Sequence, residues 1–247
     1  MTMDTWQNFF TKEKLDAHRA WMESRSGEGR MVIEGACLRG AKLAELVLVG
    51  ARFCRCDLSG ADLSRAWLTE TEWEDCSLEQ AQLVGAMFSS SRLSECRLNQ
   101  ADLRDADLSG CRIINTRFVG AQLSASNFTK SLLTAVDFTG ASLDGAKFIK
   151  AALLDCSLNG ASLFQVHTDH AQLTHVDLRG AQVDALEISG TMFSRCGFYG
   201  LNGTPFVFDS YTVTEPDFSP SFDGSGVTDA AKVFSLFGRP SHDIPSQ

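Results

Sequence analysis

The amino-acid sequence predicts an all-β solenoid, a chain wound into square coils of 20 residues stacked one on another. Three observations carry that expectation. An apolar residue recurs at every fifth position from Ile33 to Phe198, giving 34 successive centres of which only Thr168 is polar. Two places before the centre the residue is mostly small, as in Ala41, Ala51, Cys56, Ala61, Ala66, Thr71 and Cys76. Residues 20 apart are alike: Leu43, Leu63, Leu83, Leu103, Leu123, Leu143 and Leu163 form one column, closed by Val183.

A period of five fits neither the 3.6 of a helix nor the 2.0 of a strand. It suits a chain that turns a corner every five residues, so that four units close one coil and neighbouring coils stack. The stretch Ala101–Gly110 shows the unit twice, with Leu103 and Leu108 as centres and the small residues Ala101 and Ala106 before them. Centre and small residue point inward. Glycine recurs two places after the centre, for instance at Gly40, Gly50, Gly60 and Gly110, where a corner favours its backbone freedom. Stacked at the strand spacing of about 4.8 Å, Phe118 should lie on Phe138 and Phe128 on Phe148. Each buried centre contributes roughly 1.5–3 kcal/mol of transfer free energy, so the body needs neither cofactor nor disulfide to fold.

Units such as Ala61-Asp62-Leu63-Ser64 and Ala101-Asp102-Leu103-Arg104 resemble the pentapeptide-repeat family, over about residues 31–200. The resemblance implies a right-handed quadrilateral parallel β-helix, here of about eight coils.

The chain has 31 acidic and 22 basic residues, a net charge of −9. Residues 1–33 hold five of each, residues 34–198 hold 20 acidic and 15 basic, and residues 199–247 hold six and two. Phosphate binding calls for a basic surface, so no direct contact with nucleic acid is expected. No apolar run approaches the 18 or so residues of a membrane span. Asp4, Lys12, Glu13, Lys14 and Asp16 stand where a signal peptide would need an apolar core, and the expected compartment is the cytoplasm.

Six of the eight cysteines (Cys56, Cys76, Cys96, Cys111, Cys156 and Cys196) fall on the inward small position, where free cysteine acts as a small buried hydrophobe. Cys56, Cys76 and Cys96 stack at one-coil spacing, but parallel inward thiols in a reducing compartment are expected to stay free. Cys54 and Cys56 have no second pair to complete a zinc set.

In chain order, residues 1–30 read as a helical cap and linker. Thr11 can cap a helix on which Leu15, His18 and Met22 share a face, with Trp6, Phe9 and Phe10 just before it. Such a segment covers the open end of a solenoid, whose backbone is otherwise unpaired; docking of a partner is the other reading. The coil body occupies 31–200 without insertions. Its irregular unit is Val166–His170, where His167, Asp169 and His170, with His175 beyond, have the residue types of a metal or acid–base site. Their outward and corner positions over two units favour simple decay of the repeat, and no metal or cofactor is expected. Residues 201–247 read as a cap or tail with a short helix near 228–237, in which Phe234 and Phe237 are candidates for a homodimer contact.

There is no GxSxG, HExxH or P-loop, and no enzyme activity is expected. Val47, Trp67 and Met87 instead place three apolar side chains outward on successive coils, the pattern of a contact patch. Glu70, Glu74 and Glu79 lie close by in sequence, and none has a basic residue one coil above or below. The leading functional expectation is a rigid scaffold that binds a protein partner through its flat faces. The alternative comes from the resemblance: some pentapeptide-repeat proteins mimic duplex DNA and shield DNA gyrase, which would make a type II topoisomerase the partner. Arg52, Arg92, Arg97, Arg112 and Arg117 interrupt the acids and weigh against that alternative.

Overall fold

The computed structural model describes residues 6–203 and 211–219. The expected short helix near 228–237, with Phe234 and Phe237, lies outside the described residues.

The body is a four-faced parallel β-solenoid of about nine turns. On the first face, with centres Ile33, Phe53, Trp73 and so on, ten short strands pair in parallel from Val32–Glu34 through Arg52–Cys54 and Glu72–Glu74 to Tyr211–Thr214. The register is 20 throughout, as in Phe53 on Trp73 and Trp73 on Leu93. The other faces hold the same register mostly through single bridges, such as Asp57 on Ser77, Asp62 on Gln82 and Val47 on Trp67. A three-residue strand per face is what the period dictates, because two of every five residues are needed to turn the corner.

Inside, the side chains follow the sequence pattern. Leu43, Leu63, Leu83, Leu103, Leu123 and Leu143 are fully buried, and Phe118 on Phe138 and Phe128 on Phe148 stack with ring centroids 5.1 and 4.8 Å apart. The polar Thr71 and Ser91 occupy the small position without being orphaned. Each hydroxyl donates to the Leu68 carbonyl, at 2.6 and 2.7 Å, and Trp73 Nε1 donates to Thr71 Oγ1 at 2.8 Å.

The corners take positive φ whether or not glycine is present: Arg55 has φ 51°, Asn115 48° and Ala125 60°. A left-handed turn costs a side-chain-bearing residue roughly 1–2 kcal/mol. The corner amides offset this by donating to the next coil, as Arg55 N does to Glu74 O at 2.8 Å.

Ahead of the coils a 3₁₀ turn, Trp6–Asn8, leads into helix α1, Lys12–Ser24, whose N-cap is Thr11. α1 lies against the open end and first coil. Phe10 joins the core, Trp6, Phe9 and Leu15 pack on it, and His18 is fully buried with Nδ1 accepting from Met31 N at 3.0 Å. Trp21 stacks on His18 and covers Gly50, where an added Cβ would meet the indole at 2.8 Å. Glycine at that corner is thus required by the packing of the helix, and it also meets the φ of 74° without strain.

At the far end the ladder does not stop at residue 200. Asn202 pairs with Gln182, Tyr211–Thr214 pairs with Thr191–Ser194, and Gly197 bridges Asp217. Val213 and Phe218 keep the five-residue register and pack on the core, whereas Gly203 stands at a centre with no side chain to mark it.

Candidate functional site

A strand sends alternate side chains to opposite faces, so the residue before each buried centre must face solvent. On the fourth face, with buried centres Leu48, Leu68 and Phe88, those residues are Val47, Trp67 and Met87. They bridge one another in register and are 44, 49 and 37% exposed. Nothing among the described residues covers them; α1 lies over the neighbouring corner at Gly50 instead. Asp107 continues the column above Met87, and the hydrogen-bonded hydroxyls of Thr69 and Ser89 run alongside, 3.3 Å apart. An apolar strip with a polar border is the layout of a protein-contact surface.

The three glutamates do not gather on that strip. Glu70 sits on the corner beside it, while Glu74 and Glu79 lie on the first and second faces. Each is met by an arginine. Arg25, just past α1, reaches Glu70 at 2.9 Å; Arg52 reaches Glu74 at 2.9 Å and Glu72 at 3.8 Å; Arg97 lies 3.8 Å from Glu79 and 3.9 Å from Asp75. Hydrogen bonding to Glu74 raises the Arg52 pKa above its usual value.

The arginine partner of Glu70 comes from outside the columns, which sequence spacing did not show. Arg25 and Arg30 belong to the linker, lie over the Trp21 ring at 5.3 and 5.5 Å, and Arg30 also pairs with Glu72 at 2.9 Å. In the described residues only Asp75 and Glu95 place two acids directly above one another, so no extended negative column forms.

The histidines of the irregular unit separate in space. His175 Nδ1 lies 2.7 Å from Asp155 Oδ1, one coil below. The His170 ring rests over Gly190. His167 stands beneath Glu187, with Nδ1 2.5 Å from Oε2, a partner 20 residues on that counting by coils would have found. The cysteines are all free, and Cys37 alone is exposed. Burial pushes the thiols of Cys96 and Cys156 up to about 11 and those of Cys111 and Cys196 up to about 12.

One buried centre per five residues, four faces per coil and side chains free only on the walls define a parallel solenoid built from five-residue repeats. The chain belongs to the pentapeptide-repeat family: the model described as pentapeptide repeats matches in eight copies, over residues 36–72, 68–100, 101–140 and 116–153. Among solved structures it is similar to QnrB1, a plasmid-mediated fluoroquinolone resistance protein, at 19% identity over 72% of this chain and 92% of that one, with a TM-score of 0.43. It is also similar to HetL, a pentapeptide repeat protein involved in heterocyst differentiation regulation from the cyanobacterium Nostoc sp. strain PCC 7120, at 20% identity over 85% of this chain and 97% of that one, with a TM-score of 0.41. No curated protein matches the sequence. No helix among the described residues is long and apolar enough to cross a membrane.

Proposed function

We propose that the chain is a non-enzymatic scaffold that binds a protein partner in the cytoplasm, using the fourth face as its principal contact. The supporting observation is the in-register strip Val47, Trp67 and Met87, which no other described residue covers, on a wall that the fold itself makes flat. A half-exposed tryptophan between two apolar neighbours is the kind of side chain that dominates binding energy, where truncation costs about 2 kcal/mol or more, roughly 30-fold in affinity. Glu70 borders the strip from its corner, and the pairing of Glu70, Glu74 and Glu79 with arginines leaves no string of unpaired charges resembling duplex DNA among these three acids.

Trp67→Asp tests this directly. The variant should keep its far-UV circular dichroism and lose the proteins that the unaltered chain captures from its source lysate. Capture of the same proteins by both versions overturns the assignment of the strip. The same paired charges predict that DNA gyrase supercoils plasmid equally well with and without the protein, fluoroquinolone present or absent. Protection at stoichiometric protein would instead establish gyrase as the partner.

A further inference from the structure

Thr168 is the polar exception among the repeat centres, and the structure shows what its hydroxyl holds together. Thr168 Oγ1 donates to the Glu187 carbonyl at 2.9 Å and lies 3.0 Å from Thr191 Oγ1, which donates to the Thr168 carbonyl at 2.5 Å. Thr168 N also donates to Glu187 O at 2.8 Å, and Glu187 N to Val166 O at 2.9 Å. The backbone at 166–168 is therefore tied to residue 187 of the next coil from both directions. His167 and Asp169 flank Thr168 and both project outward, while Glu187 stands one coil beyond His167 in the same column. One donor atom from each of the three lies within 4.8 Å of the others, and all three side chains are half-buried.

We propose that His167, Asp169 and Glu187 bind one divalent first-row transition ion of the zinc class. Zinc holds nitrogen and oxygen ligands at about 2.0–2.2 Å, so two ligands of one ion stand up to about 4.3 Å apart. Donors already within 4.8 Å converge by small side-chain rotations on a backbone that does not need to move. One imidazole and two carboxylates favour such an ion over calcium or magnesium, which seek six or more oxygens. The two carboxylates supply the compensating charge, partly offset by Lys147, the neighbour of His167 on the other side. Three protein ligands on an open wall leave the remaining coordination positions to water. This reverses the expectation, drawn from the sequence, that the unit is simple decay of the repeat.

The test is calorimetric titration of Zn²⁺ into the full chain after chelator treatment, with Co²⁺ absorption to identify the ligands. One equivalent of Zn²⁺ should bind, and Glu187→Gln and Asp169→Asn should each weaken binding at least tenfold with circular dichroism unchanged. Cys37→Ser should have no effect, and Mg²⁺ should not compete. Absence of saturable binding, unchanged affinity in Glu187→Gln, or a thiolate-to-cobalt charge-transfer band would each overturn the proposal, the last by placing the ion on cysteine.

Discussion

Two tryptophans six residues apart should answer substitution in opposite ways. Trp73 is a centre, 1% exposed, stacked on Phe53 at 4.1 Å and hydrogen-bonded to Thr71, whereas Trp67 stands outward at 49% exposure. Removing a buried tryptophan side chain costs about 3–5 kcal/mol through lost transfer energy and the cavity left behind. The lost hydrogen bond adds about 1 kcal/mol, and Thr71 Oγ1 is not orphaned because it still reaches Leu68 O and Ser91. Trp73→Ala should therefore destabilise by about 5 kcal/mol, and Trp67→Ala by no more than about 0.5. In urea, with a slope of about 3 kcal/mol per molar, the Trp73→Ala midpoint falls by roughly 1.7 M. Because each coil touches only its neighbours, hydrogen exchange should accelerate first in the coils near Trp73 and in α1. Equal midpoint shifts in the two variants would refute the inward–outward assignment. A loss of protection spread evenly along the rod would refute the coil-by-coil account of its stability.

Two further outcomes follow from burial. A thiol reagent applied to the native protein should modify Cys37 rapidly and the other seven cysteines only after denaturation, as quantified by mass spectrometry; fast labelling of Cys111 or Cys196 would contradict the packing. Burial, aided by Arg30 and Arg25, holds the His18 pKa below 6.5, against the opposing pull of the Leu48 and Val49 carbonyls. The unfolded chain then binds the extra proton first, so docking of α1 is fully stable above pH 6.5 and weakens as pH falls below it. Exchange of the Met31 amide, which donates to His18 Nδ1, should lose protection over that range, and His18→Phe should abolish the pH dependence.

The body was legible because each centre carries its own mark. Trp73, larger than any other centre, still occupies the position that counting by five assigns, and its column neighbours are Phe53 and Leu93 as expected. Corners were half legible. Glycine marks some, yet Arg55 and Asn115 adopt the same positive φ because closure of the coil imposes the turn and the corner amide is bonded to the coil above. Beyond residue 200 the trail was lost where Gly203 occupies a centre, although Val213 and Phe218 resume the same count.

Chemistry was harder to read than architecture, for a geometric reason. Contacts between neighbouring coils join residues separated by about 20, so a pair such as His167 and Glu187 emerges only when the sequence is folded into columns. Contacts between α1 and the coil obey no period at all. Glu70 has Gly50 and Ser90 as column neighbours and would count as an unpaired acid, yet Arg25 arrives from the helix end 2.9 Å away. Each such pair, half-exposed on both sides, contributes only about 0–1 kcal/mol to stability. For the contact face proposed above it matters more, because it neutralises the one glutamate at the border of the Trp67 strip and would leave the apolar side chains to set the choice of partner.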